Sequence, residues 1–151
     1  MKIEEVIKSK NKMSITTKTV INLMYTSRII EEAVVSALKP YDLTPQQFNV
    51  LRILRGQKGS PANLSTLQER MVDKNSNTTR LVDKLIKKGW VNRNTCKLNR
   101  RKVEIFITKE GLLLLETLDP ITEQANEKAL NNLSQQQLED FNHLLDTLRD
   151  S

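Results

Sequence analysis

Between residues 63 and 111 the apolar spacing of the chain changes twice, and the order of those changes leaves few folds open. Asn63 stands as a cap before Leu64, Leu67 and Met71, which recur at helical spacing. Residues 72–74 break that run, and Asn75 is placed to cap a second helix reaching about residue 88, with Leu81, Val82, Leu85 and Ile86 on one side. Gly89 stops it. Two strand patterns follow at 90–95 and 103–107, the second alternating Val103, Ile105 and Ile107 against Glu104 and Phe106. The loop between them carries Lys97, Asn99, Arg100, Arg101 and Lys102. Helix, turn, helix and a hairpin with a cationic tip is the order of a winged helix-turn-helix.

The charge distribution agrees with that reading. Lys and Arg number 24 and Asp and Glu 18, a net charge of +6 that alone says little. Residues 50–109, however, hold 15 basic and 4 acidic side chains, whereas residues 110–151 hold 2 and 9. A field concentrated in this way attracts phosphates through counterion release, and the acidic flank keeps the rest of the chain away from them. Double-stranded DNA is the partner these residues favour.

Helical patterns flank this segment. Over residues 17–38 the positions Val20, Leu23, Met24, Ser27, Ile30, Val34 and Leu38 form one stripe, ended by Pro40. Thr44 caps the next helix, with Pro45 in the first turn, where a missing N–H costs nothing; Phe48, Val50, Leu51 and Leu54 supply its buried side, and Gly56 and Gly59 close it. Thr108 caps a helix through Leu112, Leu115, Leu118 and Ile121, in which Pro120 makes either a kink or a break. Ser134, three residues before Gln137, opens a last helix with Leu138, Phe141, Leu145 and Leu148 on one seam. The expected fold class is mainly α with a small β-hairpin. Its parts are an N-terminal extension (1–16), a helical dimerisation region (17–40 and 109–151) and a winged helix-turn-helix domain (41–108). The terminal helices have more apolar surface than so small a domain needs, so they pair with a second copy or fold back as a monomeric bundle.

On the second helix of the motif, Ser76, Asn77, Thr79, Arg80, Asp83, Lys84 and Lys87 are left for the outer face, the first of them short and polar. Asn pairs bidentately with adenine, Arg with guanine, and Thr offers a hydroxyl or a methyl; Arg80 is the first choice for a base or phosphate contact and Lys84 for phosphate. Asn99, Arg100 and Arg101 are the hairpin candidates, because a narrow minor groove favours inserted arginine. Asn63, Ser65 and Thr66 at the start of the preceding helix are further phosphate candidates, although any helix cap uses the same residue types.

Four strings now fall in order: Leu43-Thr44-Pro45-Gln46-Gln47-Phe48, Thr79-Arg80-Leu81-Val82-Asp83-Lys84-Leu85 with Lys87-Lys88-Gly89, Asn99-Arg100-Arg101, and Ile107-Thr108-Lys109-Glu110-Gly111. In this order and spacing the chain resembles the MarR family of transcriptional regulators over nearly its whole length. The resemblance implies a homodimer built by the terminal helices and a pseudo-palindromic operator. It also implies repression of a nearby gene or of its own, and release by a small aromatic or anionic effector. The chain departs from the family at the wing: where the family usually has Asp, one residue, then Arg, this chain has Asn99 before Arg101, an amide without the charge that strengthens such bonds.

Other classes find less support. Catalysis lacks its parts: one histidine, His143, lies far in sequence from the single Cys96, with no phosphate-binding glycine loop and no metal-ligand spacing, so no cofactor is expected. No apolar run of roughly eighteen residues calls for a membrane span. Lone Cys96 fits a reducing cytoplasm and is expected to be inert. A non-specific architectural DNA binder and a winged-helix protein-interaction module remain as alternatives, because a fold alone does not define a function.

Overall fold

The computed structural model describes residues 1–99 and 101–150; Arg100, one of the hairpin candidates, and Ser151 lie outside the described residues. The chain runs α1 (Ile3–Val6), α2 (Ile15–Leu38), a 3-10 turn (Lys39–Tyr41), α3 (Pro45–Gly56), α4 (Leu64–Arg70), α5 (Thr78–Lys87), β1 (Val91–Thr95), β2 (Val103–Ile107), α6 (Lys109–Leu130) and α7 (Gln135–Arg149). It divides into two compact units: Val35–Glu123, and Met1–Val34 with Gln124–Ser151. No helix is long and apolar enough to cross a membrane among the described residues.

The Val35–Glu123 unit is organised by its caps. Thr44 accepts the Gln47 N–H on its hydroxyl at 3.1 Å, and the Gln47 side chain accepts the Thr44 N–H in return at 3.2 Å, so α3 starts where expected. Asn63 accepts the Thr66 N–H at 2.8 Å and opens α4. At the end of α5, Gly89 takes a left-handed φ of 79° while the Trp90 N–H reaches back to the Leu85 carbonyl at 3.1 Å. Leu51, Leu54, Leu67, Met71, Val82 and Leu85 are buried, as are Val91 and Ile105 of the hairpin, whose strands pack on α3 and α5. Each such side chain fully withdrawn from water contributes about 1.5–3 kcal/mol.

The strands pair antiparallel in the register Val91↔Ile107 to Thr95↔Val103. A third segment joins them: the Ala62 N–H donates to the Ile105 carbonyl at 2.9 Å and the Ile105 N–H to the Ala62 carbonyl at 2.8 Å, tying the segment before α4 to the base of the hairpin. Only Ile105 of β2 is fully buried; Val103, Glu104, Phe106 and Ile107 are half-buried.

Three boundaries differ from the sequence expectation. Asn75 does not cap α5: its N–H closes onto the Asp73 carboxylate at 2.9 Å, and Asn77 is the cap, accepting the Arg80 N–H at 3.1 Å. Pro120 does not divide α6, which is continuous from Lys109 to Leu130. The proline deprives only the Glu116 carbonyl of an N–H partner, and Glu116 is exposed, where water can supply one. The N-terminal residues, expected as a plain extension, contain α1, and α2 begins at Ile15 because the Ser14 hydroxyl accepts the Thr17 N–H at 3.2 Å.

In the other unit, Ile3 of α1 is buried and Glu4 pairs with Lys18 of α2 at 2.6 Å. The Lys18 hydrogen bond holds the Glu4 carboxyl below its usual range. Ile15, Val20, Met24, Phe141, Leu144 and Leu148 of this unit are exposed in the single chain.

Candidate nucleic-acid interface

The outer face of α5 follows from its period. Thr78, Val82 and Leu85 are buried, Leu81 and Ile86 half-buried, and Thr79, Arg80, Lys84 and Lys87 are left exposed. Two earlier candidates are less open than their positions implied. The Asn77 side-chain oxygen is occupied by the cap bond, and the Ser76 hydroxyl is buried with no hydrogen-bond partner. The turn before α5 is held by the Asn49 amide oxygen, which accepts the Val72 N–H at 2.9 Å, and by Gln46, which donates to Asp73 at 3.3 Å. Asn63 and Ser65 are exposed at the start of α4, and Thr66 is half-buried.

The hairpin end presents a second cationic surface in the same unit. Lys97, Asn99, Arg101 and Lys102 are all exposed. Asn99 does brace the loop, but through the backbone: its side-chain oxygen accepts the Arg101 N–H at 3.1 Å, and its carbonyl accepts the Lys102 N–H at 2.9 Å. Cys96 is a free, half-buried thiol whose N–H donates to the Lys102 carbonyl at 2.9 Å.

Sequence reasoning missed the residues that join helix to hairpin. Arg93 of β1 donates to Asp83 of α5 at 2.8 Å. Lys88 lies 5.2 Å from the centre of the Trp90 ring and pairs with Asp42 at 3.2 Å. Thr108 donates its hydroxyl to the Gly89 carbonyl at 2.7 Å while accepting the Gly111 N–H at 3.0 Å. The available signal was the presence of Asp83, an acid on an otherwise cationic face.

An exposed polar helix beside a cationic two-stranded hairpin is the architecture of a winged helix-turn-helix domain. A model of the MarR family matches residues 43–103. The HTH-type transcriptional regulator SarZ of Staphylococcus haemolyticus is 30% identical over 105 residues, 70% of each chain. PecS of Dickeya dadantii, another HTH-type transcriptional regulator, is 32% identical over 91 residues, which are 59% of this chain but only 54% of PecS, so that match spans about half of the relative. The chain belongs to the MarR family, whose members are transcription regulators and not enzymes.

Solved structures share the fold. A Bordetella bronchiseptica BpsR structure, described as a mechanism for regulation of its DNA binding by 6-hydroxynicotinic acid, has a TM-score of 0.81 at 19% identity, covering 93% of this chain and 99% of that one. A MarR variant from E. coli complexed with operator DNA has a TM-score of 0.78 at 21% identity, covering 91% and 99%.

Proposed function

We propose that the chain is a ligand-responsive repressor that binds a pseudo-palindromic operator as a homodimer. In this reading α5 enters the major groove: Arg80 and Thr79 face base edges, Asn77 offers its amide NH2, Ser76 lines the turn behind them with its hydroxyl turned in, and Lys84 meets phosphate. Asn63, Ser65 and Thr66 approach the backbone, and the hairpin, with Asn99, Arg100 and Arg101, lies at the minor groove. The observation that carries the reading is the exposed run Thr79, Arg80, Lys84 and Lys87 on α5, in one compact unit with the exposed cations of the hairpin. The operator complex of the E. coli relative supports it as a fold analogy.

Residues 17–40 and 109–151 form the dimerisation region in this proposal. The exposed apolar side chains of α2 and α7, among them Val20, Met24, Leu144 and Leu148, are what a second copy would cover. Two reading helices then meet successive major grooves roughly ten base pairs apart. The effector class, a small aromatic or anionic molecule, rests on the BpsR relative and its 6-hydroxynicotinic acid.

A competitive gel shift tests the whole reading. The DNA upstream of the chain's own gene competes against random duplex over a salt series, and preference for the upstream DNA at every salt concentration is expected. Equal retention of both would leave the non-specific architectural alternative. Sedimentation of the free protein checks the dimer, and displacement of bound DNA by aromatic acids checks the effector class.

A further inference from the structure

Two aliphatic side chains of the Val35–Glu123 unit stand almost bare: Val72 is 88% exposed and Leu98 is 99% exposed. Leu98 is the more informative of the two. It lies at the end of the hairpin, with Lys97 before it and Asn99, Arg101 and Lys102 after it, all exposed. The loop closes through its backbone: the Cys96 N–H reaches the Lys102 carbonyl at 2.9 Å, and the Lys102 and Arg101 N–H groups reach the carbonyl and side-chain oxygen of Asn99 at 2.9 and 3.1 Å. Among the described residues almost nothing covers the Leu98 side chain. A single exposed leucine is ordinary on a protein surface, but this one sits among cations that draw the loop onto phosphate.

The geometry points to Leu98 as an apolar wedge that enters the minor groove of bound DNA and opens one base step. This inference rests on the reading of the hairpin as the minor-groove element. Lys97, Arg101 and Lys102 would hold the loop against the two backbones, and the leucine would leave water for the groove floor. Wedges of this kind unstack a step and bend the duplex, and the cost is lowest at the flexible pyrimidine–purine steps TA and CA/TG. Leu98 therefore reads deformability at a position where no hydrogen bond is made.

The test uses the full chain and the duplex it selects from a randomised pool, with 2-aminopurine placed in turn at each step flanking the half-sites. Binding should brighten one such step, and the selected pool should carry a pyrimidine–purine step there. Leu98→Ala should abolish the brightening, weaken binding roughly tenfold and leave the salt slope unchanged. Leu98→Met, which keeps an apolar wedge, should retain the brightening. No brightening with the unmodified chain, or brightening that survives in Leu98→Ala, overturns the wedge. If Arg80→Ala still lowers operator preference in that case, the reading of α5 stands and only the wedge fails. A chain that selects no sequence overturns both.

Discussion

Replacing Gly111 with alanine tests how the hairpin is seated, because the usual helix rule and the packing predict opposite signs. Gly111 lies in the first turn of α6, where exchanging glycine for alanine ordinarily stabilises by up to about 1 kcal/mol. Here an added Cβ would stand 2.5 Å from the Trp90 carbonyl oxygen and 2.7 Å from Ile107 Cγ1. The first neighbour is backbone, and that carbonyl already accepts the Thr108 N–H at 3.0 Å, so it cannot turn aside without losing a cap contact. Overpacking of this kind costs about 1–3 kcal/mol, and a rigid neighbour belongs at the upper end. Subtracting the propensity gain leaves a net loss of about 2 kcal/mol, or roughly 4–8 °C in melting temperature for a chain of this size. Urea unfolding followed by circular dichroism measures it. An alanine variant as stable as the parent, or more so, would refute the account of why glycine follows Thr108-Lys109-Glu110.

The remaining predictions concern the interface and one ion pair. Arg80→Ala should remove roughly 1–3 kcal/mol of discrimination between operator and random DNA, measured by competitive gel shift; an unaltered ratio removes Arg80 from base reading. Arg101→Ala should weaken binding and flatten the dependence of log affinity on log salt by about one unit, whereas an unchanged slope means that the side chain meets no phosphate. Arg55 of α3 grips Asp119 of α6 with two bonds, at 2.7 and 3.0 Å, and this hydrogen bonding holds the Asp119 carboxyl below its usual range. A depressed carboxylate stabilises the fold above its unfolded pKa and loses that contribution as pH falls through the folded value. Since both side chains are partly exposed, Asp119→Asn should cost only about 0.5–1 kcal/mol at neutral pH, with the gap closing in urea titrations as pH falls below the ordinary aspartate pKa of about 3.9.

What was legible in the sequence was what is settled locally. Thr44, Asn63, Thr108 and Ser134 cap their helices because a hydroxyl or amide three residues before an N–H needs no tertiary information. The same chemistry explains the misplaced cap. Asn75 and Asn77 are equally suited to open α5, and the Asp73 carboxylate, by taking the Asn75 N–H, decides for Asn77. The Ala62–Ile105 bridge and the Asp83–Arg93 pair join separate elements, so no spacing announces them. Pro120 was undecidable because its effect depends on whether one carbonyl can reach water. Among the candidate DNA contacts, residue type predicted which side chains are polar, but only packing shows that the Ser76 hydroxyl is turned in.

The basic surplus of residues 50–109 therefore overstates the surface open to phosphate. Arg55, Lys88 and Arg93 are engaged with Asp119, Asp42 and Asp83. Arg52 lies 5.7 Å from the Phe48 ring centre, and Arg70 donates to Gln57 at 2.7 Å. Lys58, Lys74 and Lys109 form no ion pair among the described residues either, but the exposed cations without one that cluster are Arg80, Lys84 and Lys87 on α5 and Lys97, Arg101 and Lys102 at the hairpin end. The engaged cations serve a different purpose. Exposed ion pairs contribute little to stability, about 0–1 kcal/mol each, so Asp83 is hard to justify on that ground, since it also places a negative charge on the face read as DNA-binding. Its value is geometric: Arg93 held on α5, Lys88 over Trp90 and Thr108 bonded to Gly89 tie the base of the hairpin to the end of the helix at three points. On the proposed reading, in which α5 and the hairpin meet adjacent grooves together, that constraint is worth more than one additional free charge.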